Sequence, residues 1–421
     1  MKVRAAYIVP EGGRTATIHI MKKPRIFINI HYLEIGGAET SLIGLLMALD
    51  PAKVDVDLFL NDPRGEMMQF IPKWVNVLPA VGAYTMVERP MKEALRKGYV
   101  RVVLARLWAK HQFGRYMKRE RPKDGDATYR FISKYVVPQL PSLHRLGEYD
   151  LALGFITPPN ILPTKVRAKK KVGWFHTDYR NITVPKPLEL SMWEGYDHIV
   201  SISEEATKSF TEKYPELASK VMVIENILSP RFVRMRADSE PRPADMPQEE
   251  GVTTLLTVGR YSFPKKLEEI PTICRRLTEM GDNVRWYIIG YGGSDQYIRD
   301  AIRDNDMEGR VILLGKRANP YPYMKVCDWY VQPSRFEGKS VTVREAQMLA
   351  RPVIITAYKT APSQVQQGID GLIVPMPVGE CADAIHEALN NPSQKENIIQ
   401  YLSTHDYGNE AEVEKTYNLI P

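Results

Sequence analysis

The chain of 421 residues is long enough for two domains, and its 44% hydrophobic and 25% charged content is typical of a globular protein in water. It has no apolar run of the roughly 20 residues that a membrane helix needs, and its first residues lack the apolar stretch of a secretory signal. The three cysteines, Cys274, Cys327 and Cys381, are far apart and odd in number, which fits neither a disulfide framework nor a metal knuckle. We therefore predict a cytoplasmic protein whose thiols are buried.

The first convincing strand pattern covers residues 25–31, so residues 1–24 are predicted to be an N-terminal extension. The sequence GGAE follows this strand and leads into a helix. Gly36 and Gly37 allow the loop backbone to approach a ligand closely, and Glu39 lies at the start of the helix. This loop is therefore a candidate binding element.

Apolar segments alternate with helical stretches up to residue 228, which predicts a doubly wound parallel sheet in a domain of residues 25–228. Ligands of such sheets bind outside the carboxyl ends of the strands. His176 and Asn226 follow predicted strands and are candidates for such a site. The further strands are predicted at residues 54–60, 75–78, 150–155, 171–175, 198–203 and 221–224.

A basic insertion at residues 81–145 interrupts this domain. Residues 92–121 contain ten Lys or Arg and only two acids, interleaved with apolar side chains such as Leu104 and Trp108. This pattern suits contact with an anionic membrane surface, and it could equally attract a diphosphate-bearing acceptor. A third interpretation is a solvated helical hairpin. Nucleic-acid binding is disfavoured, because no motif that reads bases accompanies the charge.

A proline-rich, charged stretch at residues 229–250 lacks apolar periodicity and is predicted to be a linker. The strand pattern resumes in a second domain, predicted at residues 251–403. Its strands are expected at residues 253–258, 286–289, 311–313, 329–332, 353–356 and 372–375. The segment 404–421 is predicted to be a C-terminal helix that packs back on the first domain.

Residues 332–356 combine a strand, a glycine turn, a short helix and a second strand. The helix is expected to begin near Ser340, so the free amides around residues 339–342 form a site for an anion. Gly338 keeps side-chain bulk out of the turn. Glu337 and Glu345 flank it as carboxylates that need hydroxyl or N–H partners. A nucleotide sugar offers phosphate and hydroxyls in this arrangement, although a helix N-terminus that merely carries acids is the alternative interpretation.

Five motifs in the second half, VGRYSFPKK, IIGYGG, LLGKRAN, QPSRFEG and REAQMLARPVI, resemble the nucleotide-sugar half of glycosyltransferase family 4. GGAE and WFHTDY resemble motifs of that family's first half. The resemblance implies an α/β protein with the GT-B fold, in which two Rossmann-like, doubly wound parallel-sheet domains face a cleft. The chain departs from the family at Lys266, where members have glycine, and at Lys339 and Ser340 within the paired-glutamate motif.

The resemblance also implies roles for individual residues. His176 and Glu337 would contact the donor sugar and are the catalytic candidates. Arg260 and Lys265 would bind the diphosphate in place of a metal ion, and Glu345 would bind the ribose. Asp124-Gly125-Asp126 has the letters of a metal motif, but its basic, polar setting predicts a turn. The donor-binding candidates are Gly36, Gly37, Arg260, Lys265, Gly290, Lys316, Gly338, Lys339, Ser340, Val341 and Glu345.

The implied function is a retaining, metal-independent glycosyltransferase of surface-polysaccharide biosynthesis, with no cofactor and with a UDP-sugar as the expected donor. The acceptor would be a glycan or a polyprenyl-diphosphate-linked glycan at the inner face of the cytoplasmic membrane. The alternatives are an epimerase or a phosphorylase on the same fold and a non-catalytic scaffold that binds sugar or membrane. A dehydrogenase, suggested by Gly290, Gly292 and Gly293, is disfavoured, because Asp295 stands where the third fingerprint glycine would fall.

Overall fold

The computed structural model describes residues 23–122, 127–156 and 160–421. Almost all of the predicted extension, and Asp124-Gly125-Asp126, therefore lie outside the described residues. Within the described part of the chain, no helix is both long enough and apolar enough to cross a bilayer.

The N-terminal domain is built on a sheet in which every pairing is parallel. Its strands in the described residues are β1 (Arg25–Ile30), β2 (Asp55–Leu60), β3 (Asn76–Val77), β4 (Glu148–Gly154), β5 (Arg167–Trp174), β6 (His198–Ser201) and β7 (Val221–Val223). Their order across the sheet is β3-β2-β1-β4-β5-β6-β7. The helices are α1 (Gly37–Ala48), α2 (Gly82–Glu88), α3 (Met91–Arg96), α4 (Val100–Glu120), α5 (Thr128–Val136), α6 (Ile161–Lys165), α7 (Lys186–Trp193) and α8 (Glu204–Lys213).

The C-terminal domain repeats this plan with a second parallel sheet. Its strands are β8 (Thr253–Val258), β9 (Val284–Ile289), β10 (Val311–Gly315), β11 (Trp329–Gln332), β12 (Val353–Thr356) and β13 (Leu372–Val374), in the order β10-β9-β8-β11-β12-β13. The helices from residue 230 onward are α9 (Pro230–Asp238), α10 (Ile270–Glu279), α11 (Asp295–Asp304), α12 (Tyr321–Val326), α13 (Val341–Met348), α14 (Val378–Leu389), α15 (Pro392–Thr404) and α16 (Val413–Tyr417).

Both strand orders confirm the predicted fold class of two doubly wound parallel-sheet domains. In each sheet the order reverses beside its first strand, between β1 and β4 and between β8 and β11. Such reversals open a crevice at the carboxyl ends of the strands, where ligands of this architecture bind. The strands form where β-branched and apolar residues run together, and all four residues of β12 are buried between helices.

The first half of the predicted linker at residues 229–250 is helical and forms α9. Ser229 caps this helix by accepting a hydrogen bond from the Phe232 amide, and a proline follows at its first position. One face of α9 is buried against α12 and α13 of the C-terminal domain. The apolar periodicity of this helix was not recognisable in the sequence, because its buried face includes an arginine, Arg236, among apolar residues.

The last residues of the chain lie against the N-terminal domain. The Tyr417 hydroxyl accepts from the Asp50 amide at 2.6 Å, at the end of α1. The Asn409 side chain accepts from the Leu228 amide at 2.9 Å. The chain therefore crosses between the domains twice, once before α9 and once after α15.

All three cysteines are free and buried, as predicted. Burial raises the thiol pKa of Cys274 and of Cys327 to about 12, so both thiols stay protonated at neutral pH.

Two helical glycines allow a matched test of the packing between α1 and the crossing segment. A Cβ at Gly44 would lie 1.9 Å from the Ile227 carbonyl oxygen, whereas a Cβ at Gly114 in α4 would meet nothing within 4 Å. We expect Gly44→Ala to lower the free energy of unfolding by roughly 1–3 kcal/mol, because backbone would have to move. Gly114→Ala should raise it by roughly 0.5–1 kcal/mol through helix propensity. Denaturant melts would check both, and a neutral Gly44→Ala would contradict this close packing.

Candidate functional site: a cleft between the two domains

A cavity of about 350 Å³ lies between the carboxyl ends of the two sheets. Loops after β1 and β5 form one wall, and loops after β8, β9, β10 and β11 form the other. Of the thirteen residues predicted for the site, all except Gly338 line this cavity. They are Gly36, Gly37, His176, Arg260, Lys265, Gly290, Lys316, Glu337, Lys339, Ser340, Val341 and Glu345.

Glu337 is held in a polar cluster on the C-terminal wall. Lys265 Nζ donates to Glu337 Oε1 at 2.5 Å, and the Ser334 hydroxyl donates to the same oxygen at 2.6 Å. The Gln332 amide lies 3.3 Å from it. The second carboxylate oxygen makes no hydrogen bond to any described residue, so it can accept from a ligand hydroxyl. Lys265 and Glu337, predicted to bind different parts of a donor, are thus a single ion pair.

Glu345 has a different environment. Its side chain is only 4% exposed, and within the described residues it forms no ion pair. The Tyr321 hydroxyl donates to its Oε1 at 2.7 Å. Burial raises the pKa of Glu345 to about 7. The hydrogen bond from Tyr321 lowers this pKa, but it offsets only part of the effect of burial. A buried carboxylate with one neutral donor, at the wall of a cavity, has unused capacity to accept hydrogen bonds.

The raised pKa makes Glu345 a source of pH-dependent stability. Because the folded-state pKa is above the usual value of 4.5, the folded protein holds this proton between about pH 4.5 and pH 7 while the unfolded chain releases it. The free energy of unfolding should therefore fall as pH rises through this window. Glu345→Gln removes the free-energy cost of burying an ionised carboxylate. We therefore expect the variant to be more stable than the parent by roughly 1–2 kcal/mol at pH 8.

The advantage of Glu345→Gln should shrink toward zero at pH 4.5, where the parent glutamate is itself protonated. Thermal melts of both proteins across this range would measure the difference. Equal stability differences at pH 4.5 and pH 8 would show that Glu345 does not titrate in the folded state.

Five cations of the C-terminal domain line the cleft, namely Arg260, Lys265, Lys316, Arg317 and Lys339. Lys316 pairs with Glu66 of the N-terminal domain at 3.0 Å, and Lys339 pairs with Glu225 at 2.5 Å. Arg260 is exposed and makes no ion pair within 4.0 Å in the described residues. Two lysines thus bridge the domains, while Arg260 is available to an anionic ligand.

The GGAE loop forms the opposite wall at the start of α1. A Cβ at Gly36 would lie 2.2 Å from Glu39 Oε2, so a larger residue at position 36 would displace the Glu39 carboxylate. Burial raises the pKa of Glu39, and the charge of Arg260 opposes that rise.

His176 follows β5 and is held by its own domain. Its Nε2 lies 3.0 Å from the Phe155 carbonyl oxygen and therefore carries the proton that it donates there. Burial lowers the pKa of His176 to about 4, so the ring is neutral at pH 7. Its buried Nδ1 has no hydrogen-bond partner within bonding distance in the described chain. The Asn226 side chain also acts on the pKa of this ring, and at pH 7 the neutral ring cannot serve as a cationic acid.

Two details of the glycine turn differ from the sequence-based expectations. The Ser340 amide is not free for an anion, because it donates to Gln364 Oε1 at 3.1 Å. Ser340 occupies the N-cap position of α13 without a capping side-chain bond. Gly338 has no left-handed backbone, and a Cβ there would meet nothing within 4 Å. The fold itself therefore does not require glycine at 338.

The glycines after β9 have a structural reason. Gly290 has φ +156°, and a Cβ there would lie 1.9 Å from the Gly259 carbonyl oxygen. At Gly292 a Cβ would lie 2.3 Å from the Tyr261 carbonyl oxygen. These glycines let the loops after β8 and β9 pass each other, which accounts for them without a dinucleotide fingerprint.

Lys266, the residue that departs from the family pattern, adopts φ +58°, a left-handed conformation that glycine takes without strain. Its buried side chain donates to the Met376 carbonyl and pairs with Glu269 at 2.7 Å. It does not line the cleft, so the departure changes loop structure and leaves the pocket wall intact.

Sequence reasoning missed several residues of the pocket, and two of them matter for its electrostatics and hydrogen bonding. Arg236, from the supposed linker, is buried with its guanidinium 3.8 Å from the centre of the Phe70 ring and donates to the Ala318 carbonyl. Tyr321 donates a hydrogen bond to the Glu345 carboxylate, which has no other side-chain partner among the described residues. The capping motif Ser229-Pro230 could have revealed the helix of Arg236, but nothing local indicated the pairing of Tyr321.

Among the described residues, no three His, Cys, Asp or Glu side chains converge in a way that could hold a metal ion.

Two parallel-sheet domains that face one cleft in this way define the GT-B class of fold. Residues 239–404 match the family model for glycosyl transferases group 1, so the C-terminal half of the chain carries a domain of that kind. The chain is 27% identical over 173 residues to poly(ribitol-phosphate) alpha-N-acetylglucosaminyltransferase of Staphylococcus aureus. The aligned region covers 39% of this chain and 34% of that protein.

A second relative is the amylovoran biosynthesis glycosyltransferase AmsK of Erwinia amylovora, 24% identical over 270 residues, or 56% of this chain and 65% of that protein. The chain thus spans less than two thirds of the length of these curated relatives. Among solved structures, Anabaena Alr3699/HepE in complex with UDP and glucose superposes with a TM-score of 0.65 at 15% identity, over 94% of this chain and 98% of that one. This likeness supports the GT-B fold.

Proposed function

We propose that the protein is a metal-independent, retaining glycosyltransferase of family 4 that transfers a hexose-type sugar from a UDP-sugar. The observation that carries this proposal is the composition of the cleft. Arg260, Lys265, Lys316 and Lys339 line the same cavity as Glu345, a buried carboxylate with a single hydroxyl partner. A nucleoside diphosphate needs cations for its phosphates and an acceptor for its ribose hydroxyls, and the cavity offers both.

Each wall has a separate task in this scheme. Glu345 would accept hydrogen bonds from the ribose, and the free oxygen of Glu337 would accept from a hydroxyl of the sugar. Lys265 would balance charge on the diphosphate while it stays within reach of Glu337, since the two side chains are 2.5 Å apart. His176, which lines the opposite wall and is neutral at pH 7, would contact the sugar from that side.

Group transfer then breaks the bond between the anomeric carbon and the phosphate oxygen and forms a bond from that carbon to an acceptor oxygen. Negative charge develops on the leaving diphosphate, and preorganised cations stabilise it. No carboxylate is expected to form a covalent intermediate with the sugar. The acceptor therefore attacks the anomeric carbon from the same face from which the diphosphate departs. The acceptor proton passes to the departing phosphate oxygen.

The choice of UDP and of the acceptor is supported by the proteins similar to this chain. Alr3699/HepE binds UDP and glucose, and AmsK takes part in amylovoran biosynthesis, as their names state. We propose a glycan or polyprenyl-diphosphate-linked glycan of surface-polysaccharide biosynthesis as the acceptor, at the inner face of the cytoplasmic membrane.

Release of UDP from a UDP-sugar should depend on acceptor, and the anomeric configuration of the product should match that of the donor. A coupled assay for UDP and NMR of the product would measure both. UDP release without any acceptor would favour a hydrolase or epimerase, dependence on inorganic phosphate would favour a phosphorylase, and an inverted product would overturn the retaining mechanism.

A further inference from the structure

We propose that the outward face of α3 and α4 is a docking surface for an anionic lipid bilayer. This docking face comprises an apolar stripe and a basic stripe. The apolar stripe is Leu95, Val100, Leu104, Leu107 and Trp108, and the basic stripe is Arg101, Arg115 and Lys118. The inference goes beyond the transfer reaction and does not depend on it.

The apolar stripe is exposed although its residues are large. Leu104 is 61% exposed and Trp108 is 52% exposed. Five of the thirteen exposed large apolar side chains in the described chain fall between residues 95 and 108, so they form a patch and are not scattered. Four of them recur along α4 at the spacing of one helix face. The opposite face of α4 carries Val102, Val103, Ala105 and Ala109, which are buried in the domain.

The basic stripe lies on the same face of α4, with Arg101 near the start of the helix and Arg115 and Lys118 near its end. Arg115 and Lys118 lie seven residues beyond Trp108 and His111, and seven residues are close to two helical turns. Arg101, Arg115 and Lys118 are exposed and make no ion pair within 4.0 Å in the described residues. The two acids of this region, Glu93 and Glu120, are already paired with Lys97 and Arg119.

This combination fits a lipid surface better than a second copy of the chain. An interfacial helix buries an apolar stripe among acyl chains while basic residues contact anionic headgroups. The 21 residues of α4 extend about 30 Å, enough to lie flat on a bilayer. In a two-fold symmetric contact between copies, each basic stripe would instead face like charge.

The docking face is attached to the cleft end of the N-terminal sheet. Arg106, on the inner side of α4, donates at 2.9 Å to the Met86 carbonyl near the end of α2. At that end Glu88 pairs with His31, the residue after β1, at 2.7 Å. The GGAE loop follows the same strand. A bilayer on the docking face would therefore lie beside the N-terminal domain's side of the cleft.

The test is co-sedimentation of the purified full chain with vesicles of phosphatidylcholine, with or without phosphatidylglycerol. We expect binding only to the anionic vesicles, and less of it at high salt. Leu104→Glu/Trp108→Glu and Arg115→Glu/Lys118→Glu should each weaken binding by roughly tenfold or more. Matched controls on α11 are Tyr297→Glu, also at an exposed aromatic residue, and Arg303→Glu, at an exposed basic residue. Both controls should bind like the parent.

Trp108 gives an independent readout, because four of the other tryptophans, Trp174, Trp193, Trp286 and Trp329, are fully buried. Its emission should shift to shorter wavelength when anionic vesicles are added, and Trp108→Phe should abolish the shift. Equal binding by the docking-face variants and the parent would overturn the proposal. So would the absence of vesicle binding, or a dimer in solution that Leu104→Glu dissociates. UDP binding by the same variants separates this result from the transferase proposal, since the docking-face changes should leave it unchanged.

Discussion

Lys265→Ala is expected to lower kcat/KM for a UDP-sugar by roughly 10²–10³-fold, or about 3–4 kcal/mol of transition-state stabilisation. Lys265 is the cation nearest to Glu337, at 2.5 Å, and it lines the cavity wall where the diphosphate would lie. Its loss removes positive charge where negative charge develops and leaves Glu337 without a counterion. Both effects oppose departure of the diphosphate.

The matched control for Lys265→Ala is Lys325→Ala. Lys325 pairs with the exposed Asp238 on the surface of the same domain and does not line the cleft. Steady-state kinetics of both variants, with circular dichroism to verify folding, would separate a site effect from a general effect of charge. Turnover of Lys265→Ala within about threefold of the parent would contradict the role given to this lysine.

Glu189→Ala is expected to lower the free energy of unfolding by roughly 3–5 kcal/mol, the usual cost of breaking a buried ion pair from one side. Glu189 is fully buried on α7 and accepts from Arg130 at 3.0 Å and from Tyr179 at 3.0 Å. Tyr214 donates to its second oxygen. Without the carboxylate, a buried guanidinium and two buried hydroxyls lose their shared acceptor.

Glu189→Gln should be intermediate, because the amide oxygen still accepts from a tyrosine while the charge is lost. Glu216→Ala is the surface control, since its partner Lys186 is exposed and surface ion pairs contribute little. Urea unfolding followed by fluorescence would measure all three variants. A midpoint for Glu189→Ala equal to that of Glu216→Ala would show that the buried cluster does not stabilise the domain.

Much of the fold was predictable because its signals are local. Each predicted strand coincides with an observed one within a few residues, since a buried parallel strand is a short apolar run between polar loops. The positions of Arg260, Glu337 and Glu345 in the cleft followed from strand ends and motif order. What lies at the end of a strand in a doubly wound sheet is constrained by topology.

The pairings within the cleft were not predictable, because they join residues far apart in the chain. Lys316 with Glu66 and Lys339 with Glu225 bridge two domains, and no sequence spacing encodes such a contact. A diphosphate in the cleft would compete with these carboxylates for the same lysines. If the proposed function holds, donor binding would therefore be coupled to the contact between the domains.

The basic segment at residues 92–121 was likewise predictable in part. Its charge and interleaved apolar residues were evident from the sequence, but the pattern did not distinguish packed residues from exposed ones. Tyr116 is buried against Phe131, whereas Leu104 and Trp108 face outward. The packing of α4 on α2, α3 and α5 decides which residues form the exposed stripe.

Calorimetric titration of UDP into the parent protein and into Glu345→Gln tests the central claim, that the cleft is the donor site of a glycosyltransferase, most directly. We predict that one UDP binds per chain and that GDP binds more weakly. Glu345→Gln should lose UDP affinity by roughly tenfold or more, because an amide nitrogen replaces one of the two carboxylate oxygens that can accept from the ribose. The absence of UDP binding, or equal UDP affinity in the two proteins, would contradict it.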